Sequence, residues 1–194
     1  MEMTANATEA AFHRKRADMR RFGMWLFLGS EVMFFTGFFA AYIVIRSASA
    51  GSIVQPLNKA LGTLNTVILI TSSFTMALAV LASKKGDRKG LVNWMGLTWI
   101  LGVVFLCVKG VEYAQHFSEG IYPSTDIFHA FYFLFTGFHA LHVIAGLVVM
   151  GVLWFRARRG DFNETYNDPI EMMGLYWHFV DLVWIFLYPA LYLL

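Results

Sequence analysis

Five apolar runs, each long enough to cross a bilayer, alternate with short polar connections along this chain of 194 residues. Residues 22–45 contain a single charge, Glu31, while 60–83 and 90–108 contain none. Residues 127–155 carry three histidines but no Asp, Glu, Lys or Arg, and 172–194 carry only Asp181. A helix needs about 20 apolar residues to traverse the hydrocarbon core, so each run spans once. A spanning strand would be a segment of about 10 alternating residues, a pattern no run shows. Helices satisfy their own backbone in lipid, so helices are expected. Only 14% of the residues are charged, well below the roughly 25% of a soluble domain.

The basic residues set an orientation. Five Lys or Arg lie in "HRKRADMRR", four in "KKGDRKG" and three in "RARRG". Arg46, Lys59 and Lys109 are the only others. Threading five helices from a cytoplasmic N-terminus puts the three clusters on one side, the positive-inside pattern. The C-terminus is then periplasmic. The clusters sit beside spans and suit anionic lipid head groups, which argues against a nucleic-acid partner.

No linker or low-complexity tract divides the chain, and no repeat relates its halves. An odd number of spans also disfavours inverted-repeat transporters. The expected fold is all-α: an integral membrane bundle of helices at about 22–45, 60–83, 90–115, 127–155 and 172–194. A basic cytoplasmic segment, residues 1–21, precedes this single domain of residues 22–194. It lacks an apolar core and cleavage site of its own, so the first span is expected to be retained. Asp126, Thr125 or Ser124 is placed to cap the fourth helix. Cys107 is the only cysteine, which rules out an intramolecular disulfide or a thiolate-rich metal site.

Ionisable groups recur inside the spans. A rise of about 1.5 Å per residue puts Glu31 roughly 14 Å from the cytoplasmic end of its run. His178 and Asp181 fall at roughly 12 and 17 Å, and His142 and His139 at roughly 18 and 22 Å. Such groups cost about 2.5–3.5 kcal/mol at mid-membrane, so each needs a partner or a function. Glu31 has Phe27, Phe34, Phe35 and Phe38 as helical neighbours, and phenyl rings solvate a carboxylate poorly. It is either a hydrogen-bonding strut, a proton-handling carboxyl, or an anchor for a lipid or partner subunit. His178 and Asp181 share a face at i and i+3 and are placed to pair.

His139 and His142 have the same spacing. Three intramembrane imidazoles allow a haem site, a metal site, or hydrogen bonds that serve only the bundle. No His-Glu-x-x-His motif, catalytic triad or phosphate loop is present. Lys109 and Glu112, again at i and i+3, read as an ion pair on a helix end or as a contact to a partner or lipid.

Five stretches in order resemble subunit III of the haem-copper terminal oxidases, in its short bacterial form with five helices. "GMWLFLGSEVMFFTGFFAAY" resembles the family's helix with a buried Ser-Glu, and "LNTVILITSS" its Leu-Asn-Thr helix start. "VKGVEYAQHFSEGIYPST" resembles its outer loop. "FLFTGFHALHVIAG" resembles its Thr-Gly-Phe-His-Gly-Leu-His helix, with Ala140 in place of the usual Gly. "YWHFVDLVWIFLYPALY" resembles its closing signature. Longer members have two further N-terminal helices, which frame part of the family's lipid cleft.

The resemblance implies an accessory subunit of a proton-pumping cytochrome c oxidase in the bacterial inner membrane. It implies no catalytic residue and no haem, copper or other metal in this chain, those cofactors belonging to subunits I and II. Those subunits and phospholipid are the implied partners, within an assembly that oxidises cytochrome c or quinol. Glu31 matches the family's buried carboxyl, near phospholipid and subunit I. Lys109, Glu112, His139, His142, His178 and Asp181 become a supporting polar network. Subunit III of a quinol oxidase and a nitric-oxide-reductase accessory protein are the near alternatives. A small transporter and a haem-bearing membrane anchor are the alternatives from another class.

Overall fold

The computed structural model describes residues 2–48, 57–162 and 167–193. Five helices follow one another: α1 (Glu2–Ala48), α2 (Lys59–Lys84), α3 (Arg88–Ser118), α4 (Ile127–Arg159) and α5 (Asp168–Tyr188). A π-helical turn, Pro189–Leu193, closes the chain. All five helices are long and apolar enough to cross a membrane, and no strand occurs among the described residues. The basic N-terminal segment continues α1. It contains neither Gly nor Pro before Gly23, so nothing in it breaks a helix.

The polar connections are helix stops and starts. Asn58 caps α2, its Oδ1 accepting from the backbone N–H groups of Ala60 and Leu61 at 3.2 and 3.3 Å. Asp87 caps α3 through the Gly90 N–H at 3.0 Å, and Asp126 caps α4 through the His129 N–H at 2.8 Å. Each cap satisfies an amide that the first turn leaves unpaired. Gly160 ends α4 at φ 91°, a left-handed conformation that glycine adopts without a Cβ penalty.

The chain forms two compact units, residues 1–37 and 38–194. In the first, Ser30 and Thr36 donate to the carbonyls of Phe27 and Val32, both at 2.7 Å. Trp25, Leu26 and Met33 are exposed, an outer face that suits hydrocarbon or another apolar subunit.

In the second unit α2, α3, α4 and α5 make a closed ring, α2 and α4 each packing on both α3 and α5. Met76, Met95, Phe105, Val143, Met150, Ile170 and Leu187 are buried along its axis. Phe74, Ile100, Val148 and Phe155 face outward and exposed. Trp177 occupies the middle. Cβ atoms built at Gly102 of α3 and Gly146 of α4 would come within 2.9 and 3.0 Å of its ring. The two glycines therefore form the slot that admits the indole, which explains small residues on otherwise bulky helices.

Candidate functional site

Lys109 and Glu112, on successive turns of α3, are only 4% and 0% exposed. Lys109 Nζ donates to Glu112 Oε2 at 2.9 Å, to the Tyr192 hydroxyl at 2.8 Å and to the Tyr132 hydroxyl at 3.3 Å. An ammonium has three N–H bonds, and all three are used. The Tyr192 hydroxyl in turn donates to Glu112 Oε1 at 2.6 Å. The rings of Tyr132, Trp184, Tyr192 and Tyr113 stand 5.1, 5.1, 5.4 and 5.7 Å from Nζ, a cage of four π faces around one cation.

The spacing in sequence suggested a pair at a helix end. The structure instead shows a sealed ion pair that joins α3, α4 and the terminal turn. Pro189 explains how the turn reaches it. Proline cannot continue α-helical hydrogen bonding, and the chain widens into π geometry from that residue. Tyr192 is thereby brought to the α3 pair.

Beyond the cage lies His139. It is 1% exposed, with its ring centroid 5.2 Å from Trp184 and 5.6 Å from Phe105. The Trp184 indole N–H donates to Thr66 Oγ1 at 3.1 Å. His142, one turn along, is half-buried, and its Nδ1 lies 2.8 Å from its own helix's Phe138 carbonyl. The two imidazoles therefore have different surroundings despite their i, i+3 spacing.

His178 and Asp181 do not bond to each other. His178 Nδ1 lies 2.7 Å from Ser73 Oγ, and Asp181 Oδ2 lies 3.5 Å from Ser72 Oγ. In place of the expected pair, both residues meet the consecutive serines Ser72 and Ser73 of α2. Ser72 also receives the Trp177 indole N–H at 3.1 Å. Thr75 and Thr98 join α2 to α3 at 2.8 Å one turn further on. The supporting residues on α2 escape sequence reasoning because Ser and Thr are ordinary in spans.

Glu31 is partly buried on α1 and belongs to the first unit. At the end of the bundle, His129 Nδ1 lies 2.8 Å from Asp126 Oδ2, and His116 Nδ1 lies 2.8 Å from the Glu112 carbonyl. Neither histidine stood out in the sequence. Burial opposes the Asp126 carboxylate, but hydrogen bonds from the His129 backbone N–H, the His129 ring and the Phe128 N–H outweigh it. They hold the carboxyl below its usual range. Among the described residues, no three His, Cys, Asp or Glu side chains stand where they could share a metal ion.

Fold and site together define a multi-pass helical membrane protein that encloses a Lys109–Glu112 ion pair among tyrosine and tryptophan rings. A profile of the cytochrome c oxidase subunit III family matches residues 2–194, and the chain belongs to that family. It is 37% identical to cytochrome c oxidase subunit 3 of Synechocystis sp., over 100% of this chain and 84% of that protein. The corresponding protein of Thermostichus vulcanus is 36% identical, covering 98% and 94%. That of Corynebacterium diphtheriae is 34% identical, covering 98% and 95%.

Proposed function

We propose that this chain is the cofactor-free accessory subunit of a cytochrome c oxidase in a bacterial inner membrane. Whole-length family membership is the observation that carries the reading. The outward apolar faces packs against subunits I and II and against phospholipid, and the sealed network keeps the bundle rigid beneath them. The basic clusters keep the N-terminus and the two connections that bear them in the cytoplasm. The C-terminal turn then lies on the periplasmic side. Subunits I and II carry haem and copper and reduce oxygen with electrons from cytochrome c. This chain performs no redox step; it supports proton uptake and the durability of the active complex. Glu31, alone among the charged residues of the first apolar run, is the residue assigned more than a packing role there, toward phospholipid and subunit I.

A tagged copy recovered from native membranes in mild detergent tests this reading. Two larger haem- and copper-bearing subunits are expected to copurify and to oxidise cytochrome c. Recovery of the chain alone, coloured by its own haem or active in moving a solute through liposomes, would overturn it.

A further inference from the structure

A cavity of about 300 Å³ lies where α2 starts, α3 finishes and α4 starts. Asn58, Gln115, His116, Glu119, Ile121 and His129 border it, and no Lys or Arg does among the described residues. Two imidazoles in one lining are oriented by their other nitrogens. His116 Nδ1 faces a backbone carbonyl and His129 Nδ1 faces the Asp126 carboxylate. Both partners can only accept, so each Nδ1 carries a proton, and in the neutral ring each Nε2 is an acceptor. His129 is 2% exposed, and its Nε2 has no partner among the described residues. A buried polar atom of this kind normally has one.

Glu119 adds a carboxylate to the same lining, and the Asp126 carboxylate stands behind His129. Asn58 Oδ1 is already engaged with two α2 amides. The remaining acceptors are therefore two imidazole nitrogens, a carboxylate and the Gln115 amide oxygen. A ligand suited to them is a small cation rich in N–H donors. The spanning helices α3 and α4 finish at Ser118 and start at Ile127, so the cavity lies at one end of the bundle, where the chain leaves its apolar spans.

We propose that this cavity binds a primary ammonium group, which donates to His116 and His129 while Glu119 balances its charge. The ammonium belongs either to an aminophospholipid head group or to a soluble amine.

The test uses the intact complex that contains this chain, stripped of lipid by detergent exchange and observed by native mass spectrometry. It is titrated with ethanolamine, spermidine, dihexanoyl phosphatidylethanolamine and dihexanoyl phosphatidylcholine. Saturable binding of a primary amine to this subunit is expected. It should weaken at least about tenfold in Glu119→Gln, the effect of one lost charge-assisted hydrogen bond. Glu119 is exposed, so that variant keeps the fold, and His129→Phe serves as a second, independent probe. Binding of the phosphatidylethanolamine alone identifies the lipid source; binding of ethanolamine or spermidine identifies the soluble one. Equal binding of phosphatidylcholine, whose nitrogen has no N–H, would overturn the proposal. So would binding unchanged in both variants, or no saturable binding of any amine.

Discussion

The hydroxyl of Tyr192 lies 2.6 Å from Glu112 Oε1, so a residue in the terminal turn completes an ion pair on α3. The same oxygen accepts from Lys109 at 2.8 Å. Tyr192→Phe removes a donor to the carboxylate and an acceptor from the ammonium. Thermal unfolding of the complex should show a loss of about 1–3 kcal/mol, the cost of unsatisfied buried polar groups.

Lys109→Met should cost more, about 3–5 kcal/mol, because it leaves Glu112 as an uncompensated buried charge. The double variant Lys109→Met/Glu112→Leu should recover most of that loss. A double variant no more stable than the single one would show that the two residues do not act as a pair.

The slot around Trp177 makes a separate prediction. A methyl group at Gly102 would stand 2.8 Å from Leu147 Cδ2 and 2.9 Å from the indole. Gly102→Ala should therefore destabilise the bundle by about 1–3 kcal/mol through overpacking. Gly110→Ala, on the same helix, meets open space and should be nearly silent. Comparable yields and melting temperatures for the two variants would show that the slot is not a tight one.

Glu31→Gln keeps the shape and hydrogen-bonding capacity of the side chain. It should leave the subunit incorporated while altering proton uptake or shortening the complex's working lifetime under turnover. Failure to incorporate would assign Glu31 a structural role instead.

Acid should release the cap of α4. The folded Asp126 carboxyl ionises at lower pH than in the unfolded chain. Its contribution to stability is therefore full above the unfolded value of about 4 and is lost as pH falls through the folded value. Melting measured between about pH 3 and 6 should fall less steeply in Asp126→Asn, which can still cap the helix. Asp126→Ala should lose about 0.5–2 kcal/mol at neutral pH, the usual cost of removing a cap.

Apolar length and charge placement were enough to read the spans. Each run falls within or overlaps one of the five observed helices, all long and apolar enough to cross a membrane. Lipid leaves the backbone little choice but helix, so composition alone determines this level. Asp126 as the α4 cap was among three neighbours singled out, and the structure selects it. The ionisable residues were equally visible because each is rare in its surroundings.

Their partners were not visible. His178 and Asp181 sit where a local pair is possible, yet their partners are Ser72 and Ser73 on α2, more than 100 positions away in sequence. Lys109 and Glu112 do pair locally, but their burial depends on Tyr132 from α4 and on Tyr192 from a turn reshaped by Pro189. Helical periodicity says which side chains share a face. It does not say which neighbouring face they meet, because that depends on the order and rotation of the packed helices. Apolar run length and rare charges therefore dictate five helices with ionisable groups inside them, whereas the hydroxyls, rings and carboxylates around each charge follow from how those helices pack.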